Sequence, residues 1–120
     1  MSGSRRLKRV DQLIREEIAK AIQKDLSDPR LGFVTVLGAK TRPDLSQTVV
    51  RVSVMGNLDQ REASLAALRS AEGYLRNLIK PHLRLRFIPE IHFELDDTFD
   101  RLERVSELLA EGVREEPAGE

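Results

Sequence analysis

Arg69, Arg76, Lys80, Arg84 and Arg86 crowd into a stretch, residues 63–89, whose only acidic side chain is Glu72. Positions 69, 76 and 80 are separated by seven and four, which places them on one stripe of a helix. Arg84 and Arg86 alternate with Leu83, Leu85 and Phe87, so an extended segment here carries both arginines on one side. Cations without local partners offer contacts to phosphate oxygens. The plainer explanation is that Glu72 pairs with Arg76 at i,i+4 and the remaining charges are ordinary solvated surface. One carboxylate, however, cannot neutralise five cations. Tyr74, the single tyrosine, adjoins the stretch and is either a packing residue or a platform for stacking.

A second cationic group, Arg5, Arg6, Lys8 and Arg9, sits at the start of the first helical pattern. Cations there oppose the helix dipole, so something other than helix stability favours them, although basic N-termini are common. Catalytic chemistry finds little support. His82 and His92 are ten residues apart, with no partner at metal-ligand spacing. His92 alternates with Ile91 and Phe93, which suits a solvent-facing strand position. Asp96, Asp97 and Asp100 resemble a cation site, but helix capping accounts for two of the three. No serine has a base at motif spacing and no glycine-rich phosphate loop is present. The chain is expected to be no enzyme and to need no metal or cofactor.

The elements that position the cations follow from periodicity. Leu68, Leu75 and Ile79 line one helical face beside the cationic stripe. Ala71-Glu72-Gly73 interrupts that helix: an interior glycine costs about 0.5–1 kcal/mol relative to alanine, and helices bend at such positions. A kink is predicted here, with Ala71 and Gly73 removing bulk where something approaches closely. Lys80-Pro81 predicts the end of the second half.

Upstream, Leu7, Val10, Ile14, Ile18, Ala21 and Ile22 form an amphipathic stripe, with Ser4 as its cap and about Leu26 as its end. Asp28-Pro29 stops the helix and Leu31-Gly32 turns the chain. Phe33–Ala39 is a strand with a possible bulge at Gly38. Arg42–Ser46 carries turn chemistry. In the next strand, Thr48–Met55, Val50, Val52 and Val54 share one face. Asp59 is the expected cap of the helix leading to the kink. After Pro89 a last strand turns Ile91, Phe93 and Leu95 one way. Asp97 or Thr98 then caps a C-terminal helix with Phe99, Leu102, Val105 and Leu109 on its apolar side.

The chain has 120 residues, enough for one core, and no cysteine. No apolar run suits a membrane span or a signal segment, so a cytoplasmic location is expected. Its zero net charge hides an asymmetry: residues 1–89 hold 17 Lys+Arg and 9 Asp+Glu, whereas residues 90–120 hold 3 and 11. One domain is expected over residues 1–111, followed by an acidic, disordered tail at 112–120.

The element order and the kinked helix pair resemble the type II KH fold of RNA-binding domains. No GxxG occurs, and its place is taken by Ala71-Glu72-Gly73. With Asp28-Pro29-Arg30-Leu31-Gly32 and Arg84-Leu85-Arg86-Phe87-Ile88-Pro89-Glu90-Ile91-His92-Phe93, that substitution is similar to the bacterial ribosome-binding factor A family. The likeness runs from about Arg9 to Leu109, although a long basic C-terminal extension is missing. It implies an α+β, two-layer type II KH-like fold (α-β-β-α-kink-α-β), with a three-stranded sheet and an added C-terminal helix. It further implies a monomeric assembly factor that binds the free or immature small (30S) ribosomal subunit and contacts 16S rRNA. Such a factor supports late maturation of the rRNA 5′ region and matters most in the cold. The expected RNA-binding residues are Arg69, Ala71, Gly73, Arg76, Lys80, Arg84 and Arg86, with Arg5, Arg6, Lys8 and Arg9 as a second patch. The competing expectation is a protein-interaction module that docks through its acidic C-terminal helix.

Overall fold

The computed structural model describes residues 2–96 and 105–110. Helix α1 (Ser2–Asp25) buries Val10, Ile14, Ile18, Ala21 and Ile22 and exposes its cations. It begins ahead of Ser4, which therefore lies inside the first turn and is not its cap. The following turn is Asp28–Leu31, closed by the Leu31 N–H on the Asp28 carbonyl at 2.9 Å. The Asp28 carboxylate accepts the Arg30 N–H at 2.9 Å and its guanidinium at 2.8 Å. The buried Ser64 hydroxyl accepts the Gly32 N–H at 2.8 Å and donates to the Arg30 carbonyl at 3.3 Å, tying this loop to the next helix.

Strands β1 (Val34–Thr41) and β2 (Gln47–Val54) pair antiparallel, and β3 (Glu90–Leu95) joins β2 in parallel, giving the order β1-β2-β3. The pairing jumps from Val36↔Val52 to Gly38↔Arg51, which leaves Leu37 as the extra residue of the expected bulge. Val50, Val52, Val54, Ile91 and Phe93 face the helices and are buried, while Thr35, Lys40, Arg51 and Glu94 face water. The buried Thr41 and Thr48 hydroxyls satisfy one another at 2.8 Å.

Helix α2 (Leu58–Ser70) is capped by Asn57, not Asp59. The Asn57 side chain accepts the Gln60 N–H and the Gln60 side chain accepts the Asn57 N–H, both at 2.8 Å, a reciprocal capping box. Gly56 permits it: its φ is 121°, and a Cβ there would collide with the Gln60 side chain.

The kink is a complete break. Ala71 (φ −97°, ψ 3°) leaves helical geometry, and α3 (Glu72–Leu83) starts at the next residue. Gly73 lies inside the first turn of α3, with nothing within 4 Å of where a Cβ would sit. The hinge is therefore the alanine, which is itself 8% exposed and packed in the core. α3 also continues through Pro81 to Leu83. Leu75, Ile79 and Leu83 form one buried stripe, and its packing outweighs the one intrahelical bond that proline removes in a last turn. Arg84 then ends the helix in the left-handed region (φ 51°, ψ 36°). Residues 84–89 are consequently a bent loop and not the expected extended segment with both arginines on one side. Leu85 and Ile88 pack against the core, Pro89 is buried, and Arg84, Arg86 and Phe87 are exposed.

Two side chains fix the elbow to the sheet. The N–H groups of Glu90 and Asp96 point to β2, bonding Ser46 and Val52, so the N–H of Phe93, odd in that alternation, points off the free edge. Glu72 accepts it at 2.9 Å. Arg76, one turn later, donates to the carbonyls of Ile88 at 2.8 Å and Pro89 at 3.2 Å. Glu72 thus serves the strand edge and Arg76 the loop. The i,i+4 pair suggested by their spacing is not among the ion pairs of the described residues.

Residues 105–110 are helical, as expected of that part of the C-terminal helix, but Val105, Leu108 and Leu109 are 51–65% exposed. Phe99, Leu102, the proposed caps Asp97 and Thr98, Asp100 and the 112–120 tail lie outside the described residues.

Replacing Glu72 by alanine strands a partly buried edge amide and is expected to cost about 1–2 kcal/mol, a loss of roughly 5–10 °C in Tm. Exchange of the Phe93 amide with solvent should accelerate selectively, and Glu72→Gln, which keeps an acceptor, should recover most of the stability. Asp28 titrates at about 2 in place of 3.8, first because of the Arg30 side chain and then the Arg30 N–H. A depressed carboxylate stabilises above its ordinary value and loses that contribution as the pH falls through the folded value. Asp28→Asn should therefore flatten the fall in Tm between about pH 4 and 2, while slightly lowering Tm at neutral pH.

Candidate nucleic-acid interface

The break at Ala71 lets α2 and α3 present different faces, and the cations divide accordingly. Arg69 is exposed on the last turn of α2. Lys80 is exposed on α3, one turn beyond Arg76, and Arg84 and Arg86 are exposed on the loop that follows. Lys80, Arg84 and Arg86 therefore form a ridge around the end of α3. Arg76 belongs to the same stripe but is half-buried, and its donors are committed to two carbonyls of the chain. Its role here is to brace the loop that carries the other arginines.

The two small residues also part company. Ala71 is core, so its side chain is not available to a ligand. Gly73 is exposed with open space around it, at the mouth of a notch of about 270 Å³ lined by Glu72, Gly73, Arg76, Glu90, Ile91 and His92. His92 bridges the two carboxylates there, with Nδ1 3.5 Å from Glu72 and Nε2 3.2 Å from Glu90. Arg76 and His92 share the lining with the two carboxylates, so the notch carries groups of both signs and Gly73 opens it to the surface beside the ridge.

Arg5, Arg6, Lys8 and Arg9 are exposed, as their positions suggest, but they do not join the ridge. It is the C-terminal half of α1, Glu17 to Asp25, that meets Leu78, Ile79 and His82 of α3. Arg9 and Lys24 are fifteen residues apart, about 22 Å along the axis. The N-terminal cluster is a separate patch.

Two residues of this surface were not selected as cation or ligand contacts from spacing. Arg30 reaches the elbow, with its guanidinium 3.5 Å from the Ser70 hydroxyl, but its charge is offset by Asp28. The side-chain bond to Asp28 holds its own pKa above the usual guanidinium value. The Asp28-Pro29-Arg30 turn was the only signal for it. Phe87 reads in the sequence as one of three alternating apolar residues, yet it is 66% exposed with the Arg86 guanidinium carbon 5.5 Å from its ring centre. Tyr74 is 52% exposed on α3, so it is not a core residue. A ridge of cations with aromatic rings nearby can bind phosphates and stack on bases. Among the described residues, no helix is long and apolar enough to cross a membrane.

Comparison with known proteins agrees with this architecture. The family model for ribosome-binding factor A matches residues 6–109. The ribosome-binding factor A of Thermomicrobium roseum is 47% identical over 106 residues, covering 88% of this chain and 82% of that protein. The crystal structure of ribosome-binding factor A from Thermus thermophilus superposes with a TM-score of 0.66 at 28% identity, covering 74% of this chain and 94% of that one. A homology model of Thermus thermophilus ribosome-binding factor A, fitted into a cryo-EM map of its complex with the 30S subunit, has a TM-score of 0.59 at 30% identity, covering 70% and 88%. With nearly the whole described chain matched by the family model and by close relatives, the protein belongs to the ribosome-binding factor A family.

Proposed function

We propose that this protein is a non-enzymatic assembly factor that binds the free or immature small ribosomal subunit by gripping 16S rRNA along the ridge Lys80–Arg84–Arg86. The observation that carries the proposal is the ridge itself: three exposed cations on a helix end and loop that Arg76 holds in place. Membership of the family, and a relative fitted to a 30S complex, support the small subunit as the ligand. Arg69 extends the contact across the elbow, Gly73 lets the RNA backbone come close, and Arg5, Arg6, Lys8 and Arg9 contribute a second contact some distance along α1. In this reading residues 1–111 form one monomeric, cytoplasmic RNA-binding domain, with 112–120 as an acidic tail. The finer role is support of late maturation of the 16S rRNA 5′ region, with its greatest weight in the cold. Profiling small-subunit rRNA precursors in cells lacking the protein, at low and ordinary temperature, tests that role.

A second reading draws on Val105, Leu108 and Leu109, an exposed apolar stripe at i, i+3 and i+4 on the C-terminal helix. Such a stripe suits a protein partner. Deletion of residues 98–120 separates the two: small-subunit binding survives it in the first reading and is lost in the second.

Hydrogen bonds to charged groups contribute roughly 1.5–3 kcal/mol each, so the double reversal Lys80→Glu/Arg84→Glu should weaken co-sedimentation with small subunits more than about tenfold. The slope of log affinity against log salt should fall by roughly 1.5 for two lost phosphate contacts. Arg76→Met should lower Tm as well as binding, because it also frees the loop. Gly73→Ala is predicted to raise stability by about 1 kcal/mol, since helix propensity improves and no atom is displaced. If the RNA backbone passes this point, the same variant binds small subunits less well.

A further inference from the structure

Phe87 is exposed where the other apolar residues of its loop are not. Leu85 and Ile88 pack against the core and Pro89 is buried, yet the ring between them is 66% exposed. We propose that Phe87 is a stacking platform for an unpaired base, so that the ligand of the basic ridge is single-stranded RNA or an extruded nucleotide rather than continuous duplex. This rests on the RNA-binding reading above and adds to it the class of RNA bound.

Three features converge on the ring. The loop that carries it is held before any ligand arrives. Arg76 bonds the carbonyls of the two residues that follow Phe87, Ile88 at 2.8 Å and Pro89 at 3.2 Å, while Arg84 fixes the entry with a left-handed backbone. A ring on a backbone already held has less freedom to lose on binding than one on a free loop. The second feature is the Arg86 guanidinium, whose carbon lies 5.5 Å from the ring centre. A planar cation against an aromatic ring makes a surface on which the flat, electron-rich face of any base can stack. The third is the charge around it. Arg84, Arg86 and Lys80 are exposed close to the ring in the chain, ready to hold the phosphates on either side of a stacked nucleotide. Bases inside an A-form helix are stacked on one another and present only their edges in the grooves, so duplex has no face to offer this ring.

The test compares the full-length protein with Phe87→Ala, Phe87→Leu and Phe87→Trp. Each is measured against a fluorescein-labelled single-stranded RNA of mixed sequence, a duplex of equal length, and purified small subunits. Because Phe87 lies outside the core, all three variants should melt as the parent does. Stacking on an aromatic side chain is lost with about a five- to hundredfold fall in affinity. Alanine and leucine should both show that fall on single-stranded RNA and on small subunits, with duplex binding unchanged, whereas tryptophan should bind as the parent does. The chain contains no other tryptophan, so the fluorescence of Phe87→Trp should be quenched by the single strand and not by the duplex. Leucine binding as well as phenylalanine would show an apolar contact and overturn the proposal. So would unchanged binding in all variants, or failure of the parent to bind the single strand. Loss of small-subunit binding alone would assign the ring to a ribosomal protein and overturn it too. The wider RNA-binding reading fails by a different result, small-subunit binding that ignores Lys80→Glu/Arg84→Glu.

Discussion

The contact between the Glu72 carboxylate and the Phe93 amide holds the elbow together. A helix broken at one residue needs something to set its angle, and Ala71, though packed in the core, has no side-chain hydrogen bond to do so. The edge strand has the complementary difficulty, an N–H that no neighbouring strand can accept. One charged acceptor at 2.9 Å answers both. With the first turn of α3 fixed on the strand, the next turn brings Arg76 over the loop that precedes it, and its two bonds fix that loop in turn. Elbow, edge strand and cationic loop thereby become one rigid piece.

The parts of this fold legible in the sequence are those decided by local periodicity. The stripe of α1, the alternating valines of β2, the bulge beside Gly38 and the interruption before Gly73 all appear as written. Where two local signals competed, the less specific one misled. Asp59 and Asn57 are both good caps, with Glu62 and Gln60 three residues on to return the hydrogen bond, but the left-handed Gly56 sets the start so that Asn57 and Gln60 close the box. Pro81 reads as a terminator, yet Leu83 continues the buried spacing of Leu75 and Ile79 past it. The segment 83–87 alternates like a strand, but a left-handed Arg84 breaks the alternation, so that Leu85 turns inward and Phe87 outward.

The candidate site was legible in composition and not in role. That cations cluster between residues 69 and 86 is visible in the chain. That Arg76 is internal is not, because its partners lie twelve and thirteen residues away and carry no charge to mark them. Ala71 illustrates the same limit from the other side. A small residue beside a glycine suggests room for a ligand, but the alanine fills space in the core and only the glycine faces open solvent. The N-terminal cations are as exposed as expected, and the length of α1 removes them to another part of the surface.

Arg76 makes its bonds to neutral carbonyls, and this choice of acceptor separates two sensitivities. Ionic strength weakens an exposed ion pair by screening both partners, but a guanidinium in part-buried contact with peptide oxygens is held by short-range charge–dipole bonds that mobile ions screen far less. In the proposed reading, rising salt strips polyanion from Lys80, Arg84 and Arg86 while leaving the platform beneath them intact. Release on those terms would not loosen the protein, which would be ready to dock again as soon as the counterions thin out.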